Sequence, residues 1–126
     1  MQTELPDFKL EEFACKCNKP ICLTPDMSVL HQRIQVLRTI VGHPLRINSA
    51  YRCTEHNIRI GGAKSSKHLE GLALDIDTIG WTGEQRSNFI RQAAAIGFNG
   101  IGIAKTYIHI DLREIPTLWQ YPRGGH

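Results

Sequence analysis

Apolar residues recur at two different periods along this chain, and the switch between the periods marks its elements. Met27, Leu30, Ile34, Leu37 and Val41 fall at three- and four-residue steps, the spacing that lines one face of a helix. Thr24 is placed to cap that helix, Pro25 to occupy its first position and Gly42 to end it. A second helix is predicted from Thr82, where Thr82 and Gln85 fit a reciprocal capping box. Phe89, Ile90, Ala93 and Ile96 carry its apolar face up to Gly97. Short helical turns are expected around Leu10–Cys15 and Glu55–Ile60.

Between these helices the period drops to two. In Leu45–Arg52, Leu45 and Ile47 face one way, and Arg46, Asn48 and Arg52 the other. In Leu72–Asp77, Leu72, Leu74 and Ile76 share a face opposite Ala73, Asp75 and Asp77. In Tyr107–Arg113, Ile108, Ile110 and Leu112 lie opposite Tyr107, His109, Asp111 and Arg113. Each strand thus has one aliphatic face and one rich in ionisable groups. The pattern predicts an α+β fold: a small central antiparallel sheet, helices packed on its apolar face, and an open cleft on its polar face. No repeat, low-complexity tract or linker interrupts the 126 residues, so one domain over 1–126 is expected, with a short mobile tail near 121–126.

The polar faces carry the candidate chemistry. His68 ends the run IGGAKSSKH, and Asp75 lies on the next strand, with Gly71 free to bend the chain between them. If the strand of His109 is a neighbour, the three side chains meet. Two imidazoles and a carboxylate suit Zn²⁺ with one position left for water, and zinc of that kind polarises carbonyls for amide hydrolysis. A plainer reading uses the same residues: the His and Asp form a surface pair or cap, and His-x-Asp on a strand is a hydrogen-bonded pair. His31 and His43 read as surface residues, and His56 as part of a short helix.

Composition removes some function classes. A hydrophobic fraction of 41% supports a real but modest core. The net charge of +3, on scattered Lys and Arg, is too weak to argue for nucleic acid, although a sequence pI near 8.8 draws the protein to anionic polymers such as cell walls. No apolar run approaches the about 20 residues of a membrane span. The N-terminal MQTELPDFKLEEF lacks the basic-then-apolar order of a secretory signal, so either a soluble cytoplasmic product or a chain whose export signal has been removed is expected, and a monomer in either case. Cys15, Cys17, Cys22 and Cys53 make an even count that admits two disulfides. Without a signal, reduced or metal-bound thiols are the commoner outcome, yet the spacing does not match paired CxxC knuckles. Idle thiols, disulfides and a metal all stay open.

SKHLEGLALD, Ser66 to Asp75, fits the pattern SxHxxGxAxD and resembles the D-Ala-D-Ala carboxypeptidase type of zinc peptidases. That group also includes lysostaphin-type enzymes and the hedgehog signalling domain. SAYRC, Ser49 to Cys53, is similar to their SGYR strand, and HNIRIGGAKSSKH to their approach to the first ligand. GFNGIGIAKTYIHIDLRE resembles the closing segment with the last histidine, so the likeness runs from about Phe8 to Trp119. It implies that His68, Asp75 and His109 are zinc ligands. It also implies that Arg52, whose planar fork suits a carboxylate or carbonyl, holds substrate together with Ser66.

The resemblance does not carry a general base. Vancomycin-resistance dipeptidases and some phage endolysins of the group have an acid three residues before the last histidine, where this chain has Thr106. Hedgehog-like members have a glutamate six before it, here Ile103, and some relatives a histidine two before it, here Tyr107. Asp111, two residues after His109 on the same strand face, is the nearest candidate base; it equally suits a hydrogen-bonding support for His109 or Arg113. Tyr107 is a candidate oxyanion donor. The implied activity is zinc-dependent D,D- or L,D-carboxypeptidase or endopeptidase cleavage of peptidoglycan stem peptides at a D-amino acid. A phage or prophage lytic protein, acting at the wall after release, fits that activity. A non-catalytic zinc-binding module for wall recognition or phage structure is the alternative.

Overall fold

The computed structural model describes residues 5–19 and 22–122. Its strands are β1 (Ile47–Ser49), β2 (Ala73–Asp77), β3 (Gly100–Ile103), β4 (Tyr107–Asp111) and β5 (Thr117–Gln120). They form one sheet in the order β1-β2-β4-β3-β5. The helices are α1 (Ser28–Val41), α2 (Thr54–Arg59) and α3 (Gly83–Ala95), with 3-10 turns at Leu10–Phe13 and Lys67–Glu70. Among the described residues no helix is long and apolar enough to cross a membrane.

The fold is α+β as expected, but the sheet is mixed rather than wholly antiparallel. The pairs β1–β2, β2–β4 and β3–β4 run antiparallel, whereas β5 runs parallel to β3. The link after β4 carries the chain past the end of β3, so β5 adds to its outer edge. Alternation did not reveal these two strands. In β3 (GIGI) glycines stand where polar residues would mark a face, and β5 is a short edge strand with Thr117, Leu118 and Gln120 exposed.

The first helix starts later than its capping pattern predicts. Asp26 Oδ1 accepts hydrogen bonds from the Ser28 amide at 3.0 Å and hydroxyl at 2.7 Å. That local turn competes with helical geometry before Ser28. The capping box of α3 forms as read: Thr82 Oγ1 accepts from the Gln85 amide at 3.1 Å, and the Thr82 amide donates to Gln85 Oε1 at 2.8 Å.

Leu30, Ile34 and Leu37 of α1 and Phe89 and Ala93 of α3 cover the apolar sheet face, packing with Leu74, Ile76, Ile108 and Ile110 in one buried cluster. Trp81 meets Phe89 edge-on at 5.4 Å and so caps this core. His31, expected at the surface, is only 6% exposed and lies 4.0 Å from the Phe13 ring. Its helical position, one step from Leu30, turns it under the Leu10–Phe13 turn.

The opposite face forms a cross-sheet row. Ser49 pairs with Asp75, Asp75 with His109, His109 with Gly102, and Gly102 with Trp119. The strand expected over Leu45–Arg52 shrinks to three residues, and an irregularity between Ile47 and Ser49 brings Ser49 rather than Asn48 opposite Asp75. Arg52 therefore lies beyond β1 instead of on it. At the other end, Tyr121 donates its amide to Ile103 O at 2.9 Å, extending the β5 edge where a mobile tail was expected. The rest of that expected tail, 123–126, lies outside the described residues.

Candidate metal centre

His68 reaches the sheet from the Lys67–Glu70 turn. Ser66 Oγ accepts from the His68 amide at 3.2 Å and caps the turn, and Gly71 ends it at φ 71°, a left-handed conformation that favours glycine. The chain then enters β2, which presents Asp75 directly opposite His109 on β4. Two adjacent strands and one capped turn thus bring together residues far apart in the sequence.

The inner atoms of the three side chains converge. Asp75 Oδ1 lies 3.1 Å from His68 Nε2 and 3.0 Å from His109 Nδ1, and the three donor atoms fall within 4.8 Å of one another. All three residues are buried. Each imidazole is held on its outer nitrogen: His68 Nδ1 by Ala50 O at 2.6 Å, His109 Nε2 by Asp111 Oδ2 at 2.7 Å. An oxygen partner on the outer nitrogen fixes the tautomer and turns the other lone pair inward, the outer support that metal-binding histidines use. The donor set fits Zn²⁺.

Electrostatics keep the carboxylates ionised. Burial alone would raise the Asp75 pKa, but hydrogen bonds and charge from His109 and His68 outweigh it and hold the carboxyl well below the usual range. Its second oxygen, Oδ2, accepts from the Arg52 guanidinium at 3.2 Å. Arg52 also reaches Ser49 Oγ at 3.1 Å and Asn57 Oδ1 at 3.2 Å, and its amide bonds His68 O at 3.0 Å. Expected to hold substrate, Arg52 is thus engaged on both nitrogen branches while still lining the cleft.

Asp111 shares the strand side of His109, as its spacing requires, but is completely buried. Its oxygens accept from Arg113 Nε at 2.8 Å and terminal nitrogen at 2.6 Å, and Oδ1 also takes the Arg113 amide at 3.1 Å. Burial opposes its charge, but Arg113 and His109 hold its pKa low. A Cβ on Gly100, opposite it on β3, would collide with this carboxylate, so the glycine makes room for the pair.

A cleft of about 520 Å³ opens above the three converging residues, and Ser66, Tyr107 and Arg52 line it as expected. Arg113, Trp119 and Tyr121 also line it and were not foreseen as site residues. The Trp119 ring sits 5.2 Å from the His109 ring, with the Arg113 guanidinium 4.6 Å from its centroid. Arg113 stood on the polar face of the Tyr107–Arg113 strand, whereas Trp119 and Tyr121, two positions apart, offer too short a pattern to mark a strand.

The sequence profile of the Peptidase M15 family matches residues 6–111, most of the 126-residue chain. The chain belongs to this family. M15 proteins are zinc metallopeptidases of the D-Ala-D-Ala carboxypeptidase type that act on peptidoglycan peptides. Among curated proteins none matches the chain. In this M15 protein His68, Asp75 and His109 all fall within the matched residues, and Arg113, Trp119 and Tyr121 lie after them.

Proposed function

We propose that this M15 protein hydrolyses an amide bond beside a D-amino acid in peptidoglycan stem peptides, as a D,D- or L,D-carboxypeptidase or endopeptidase. The observation that carries the reading is the convergence of His68, Asp75 and His109, each supported from behind, on one side of an open cleft. In this reading the three residues are the zinc ligands. Zn²⁺ held there supplies Lewis acidity toward the scissile carbonyl and toward water. Arg52 restrains Asp75, and Asp111 orients His109 rather than exchanging protons with substrate, because it has neither reach to the cleft nor a pKa near neutrality. Burial pushes the Tyr121 hydroxyl up to about 12, so it remains a donor at neutral pH and, with Tyr107, suits a developing oxyanion. Lys67 and Arg113 on the cleft wall suit the carboxylates of stem peptides. The net charge of +3 supports attraction to an anionic wall, in keeping with a phage or prophage lytic role after release from the cytoplasm.

One observation favours a non-catalytic wall-recognition module instead: Asp75 is the sole carboxylate among the described residues lining the cleft. Hydrolysis of purified peptidoglycan, followed by mass spectrometry of the fragments before and after chelation and zinc add-back, separates the two. New termini that disappear with chelator and return with zinc support the peptidase. Intact stem peptides beside stoichiometric, tightly held zinc would replace it with the module.

A further inference from the structure

A second group of metal-ligand side chains lies apart from the cleft. Cys15, Cys17 and Cys22 come from the segment before α1, and Cys53 is the N-cap of α2. Their four sulfurs nevertheless lie within 4.8 Å of one another, and all four are free thiols. A tetrahedral ion with Zn–S bonds of about 2.3 Å sets its sulfurs about 3.8 Å apart. Sulfurs within 4.8 Å of one another are close enough to draw in onto such an ion. We propose that Cys15, Cys17, Cys22 and Cys53 hold a structural Zn²⁺, distinct from the His68–Asp75–His109 centre.

The surroundings of the sulfurs suit bound thiolates. The Cys53 amide donates to Cys15 Sγ at 3.3 Å, closing a link across 38 residues. The Cys17 backbone also donates to the Cys15 sulfur, and the Lys19 backbone to the Cys17 sulfur. Four thiolates around Zn²⁺ leave a net charge of −2, and Lys19, within electrostatic range of Cys53 and Cys22, offsets part of it. Lys19 also pairs with Glu55 of α2 at 3.0 Å, on the same seam as Cys53. Four soft donors select zinc over magnesium or calcium, and four protein ligands close the shell to substrate.

The clip has a consequence for the cleft. It fastens the N-terminal segment to Cys53, which follows directly on Ala50, Tyr51 and Arg52. Ala50 O holds His68, Arg52 holds Asp75, and the Tyr51 amide bonds Phe13 O at 3.3 Å. Zinc at the cysteines therefore braces, from outside, the segment that positions two members of the cleft centre.

The test is cobalt substitution of the full chain, purified under reducing conditions and stripped with chelator. Co²⁺ bound by four cysteines gives an intense near-ultraviolet sulfur-to-metal charge-transfer band, which a His–Asp–His centre lacks. The band is expected in the wild type and unchanged in the His68→Ala/His109→Ala variant, and reduced in Cys17→Ser. Zinc analysis should find two equivalents per chain in the wild type and one in the double histidine variant. Absence of the band, a single zinc that vanishes in the double histidine variant, or, in protein purified without reductant, a native mass four hydrogens lighter (two disulfides) would each overturn the proposal. The band comes from sulfur alone, so its failure is separate from any failure of the peptidase reading, which peptidoglycan hydrolysis reports.

Discussion

Replacing Asp111 with Asn separates an orienting role from a proton-transfer role. The change keeps the size of the side chain but removes the charge facing His109 at 2.7 Å and Arg113 at 2.6 Å. Breaking one partner of a buried ion pair costs about 3–5 kcal/mol. The Arg113 side chain is 27% exposed and can rehydrate, which places the cost at the low end, about 3 kcal/mol. At roughly 4 °C per kcal/mol for a chain of this size, the melting temperature falls by roughly 12 °C. Losing the carboxylate behind a ligating histidine weakens metal binding by about 10–100-fold, equivalent to about 1.4–2.8 kcal/mol. Chelator-competition titration measures that loss directly. Peptidoglycan hydrolysis by D111N should then recover most of the wild-type rate once zinc is raised to saturation. If D111N instead binds zinc as tightly as the wild type and stays inactive at saturating zinc, Asp111 handles protons and the orienting role is wrong.

Three further outcomes follow from the packing. Gly102→Ala sets a Cβ 2.6 Å from the Trp119 ring and 2.7 Å from Tyr121, so about 1–3 kcal/mol of stability and a change in tryptophan fluorescence are expected; an unaltered melt and spectrum would show that Trp119 does not lie over Gly102. Thr82→Ala removes one half of the α3 capping box and should cost about 0.5–2 kcal/mol in urea denaturation, with no loss in metal content. Burial lowers the His31 pKa below its ordinary 6.5, so the unfolded chain takes up this proton first as pH falls. The contribution of neutral His31 is therefore present above pH 6.5 and lost as pH drops through the folded value. The urea midpoint of the wild type should fall more between pH 7.5 and 5 than that of His31→Leu, and equal falls would place His31 in solvent.

Legibility in the sequence followed the range of the interactions. The period-two pattern of β2 and β4 put Asp75, His109 and Asp111 on one face, because strand geometry alone alternates side chains. The α3 cap was readable from Thr82 and Gln85 because both partners sit within one turn. The α1 start was misplaced since Asp26, between Pro25 and the helix, offered its own local turn. β3 and β5 stayed hidden because glycine conceals a polar face and a short edge strand has almost no pattern.

The ligand-type residues and their strand faces were therefore determined by the sequence itself, through alternation and the run from Ser66 to Asp75. Tertiary structure decided what depends on neighbours across the sheet. Register set Asp75 against His109. The bulge brought Ser49 opposite Asp75 and left Arg52 beyond the strand, and the glycines of β3 admitted Asp111 on one row and Trp119 on the next. It also drew Cys53 to three cysteines of the N-terminal segment. Spacing along a chain constrains only the first few neighbours, whereas those pairings join residues tens of positions apart and exist only once the core under the sheet has closed.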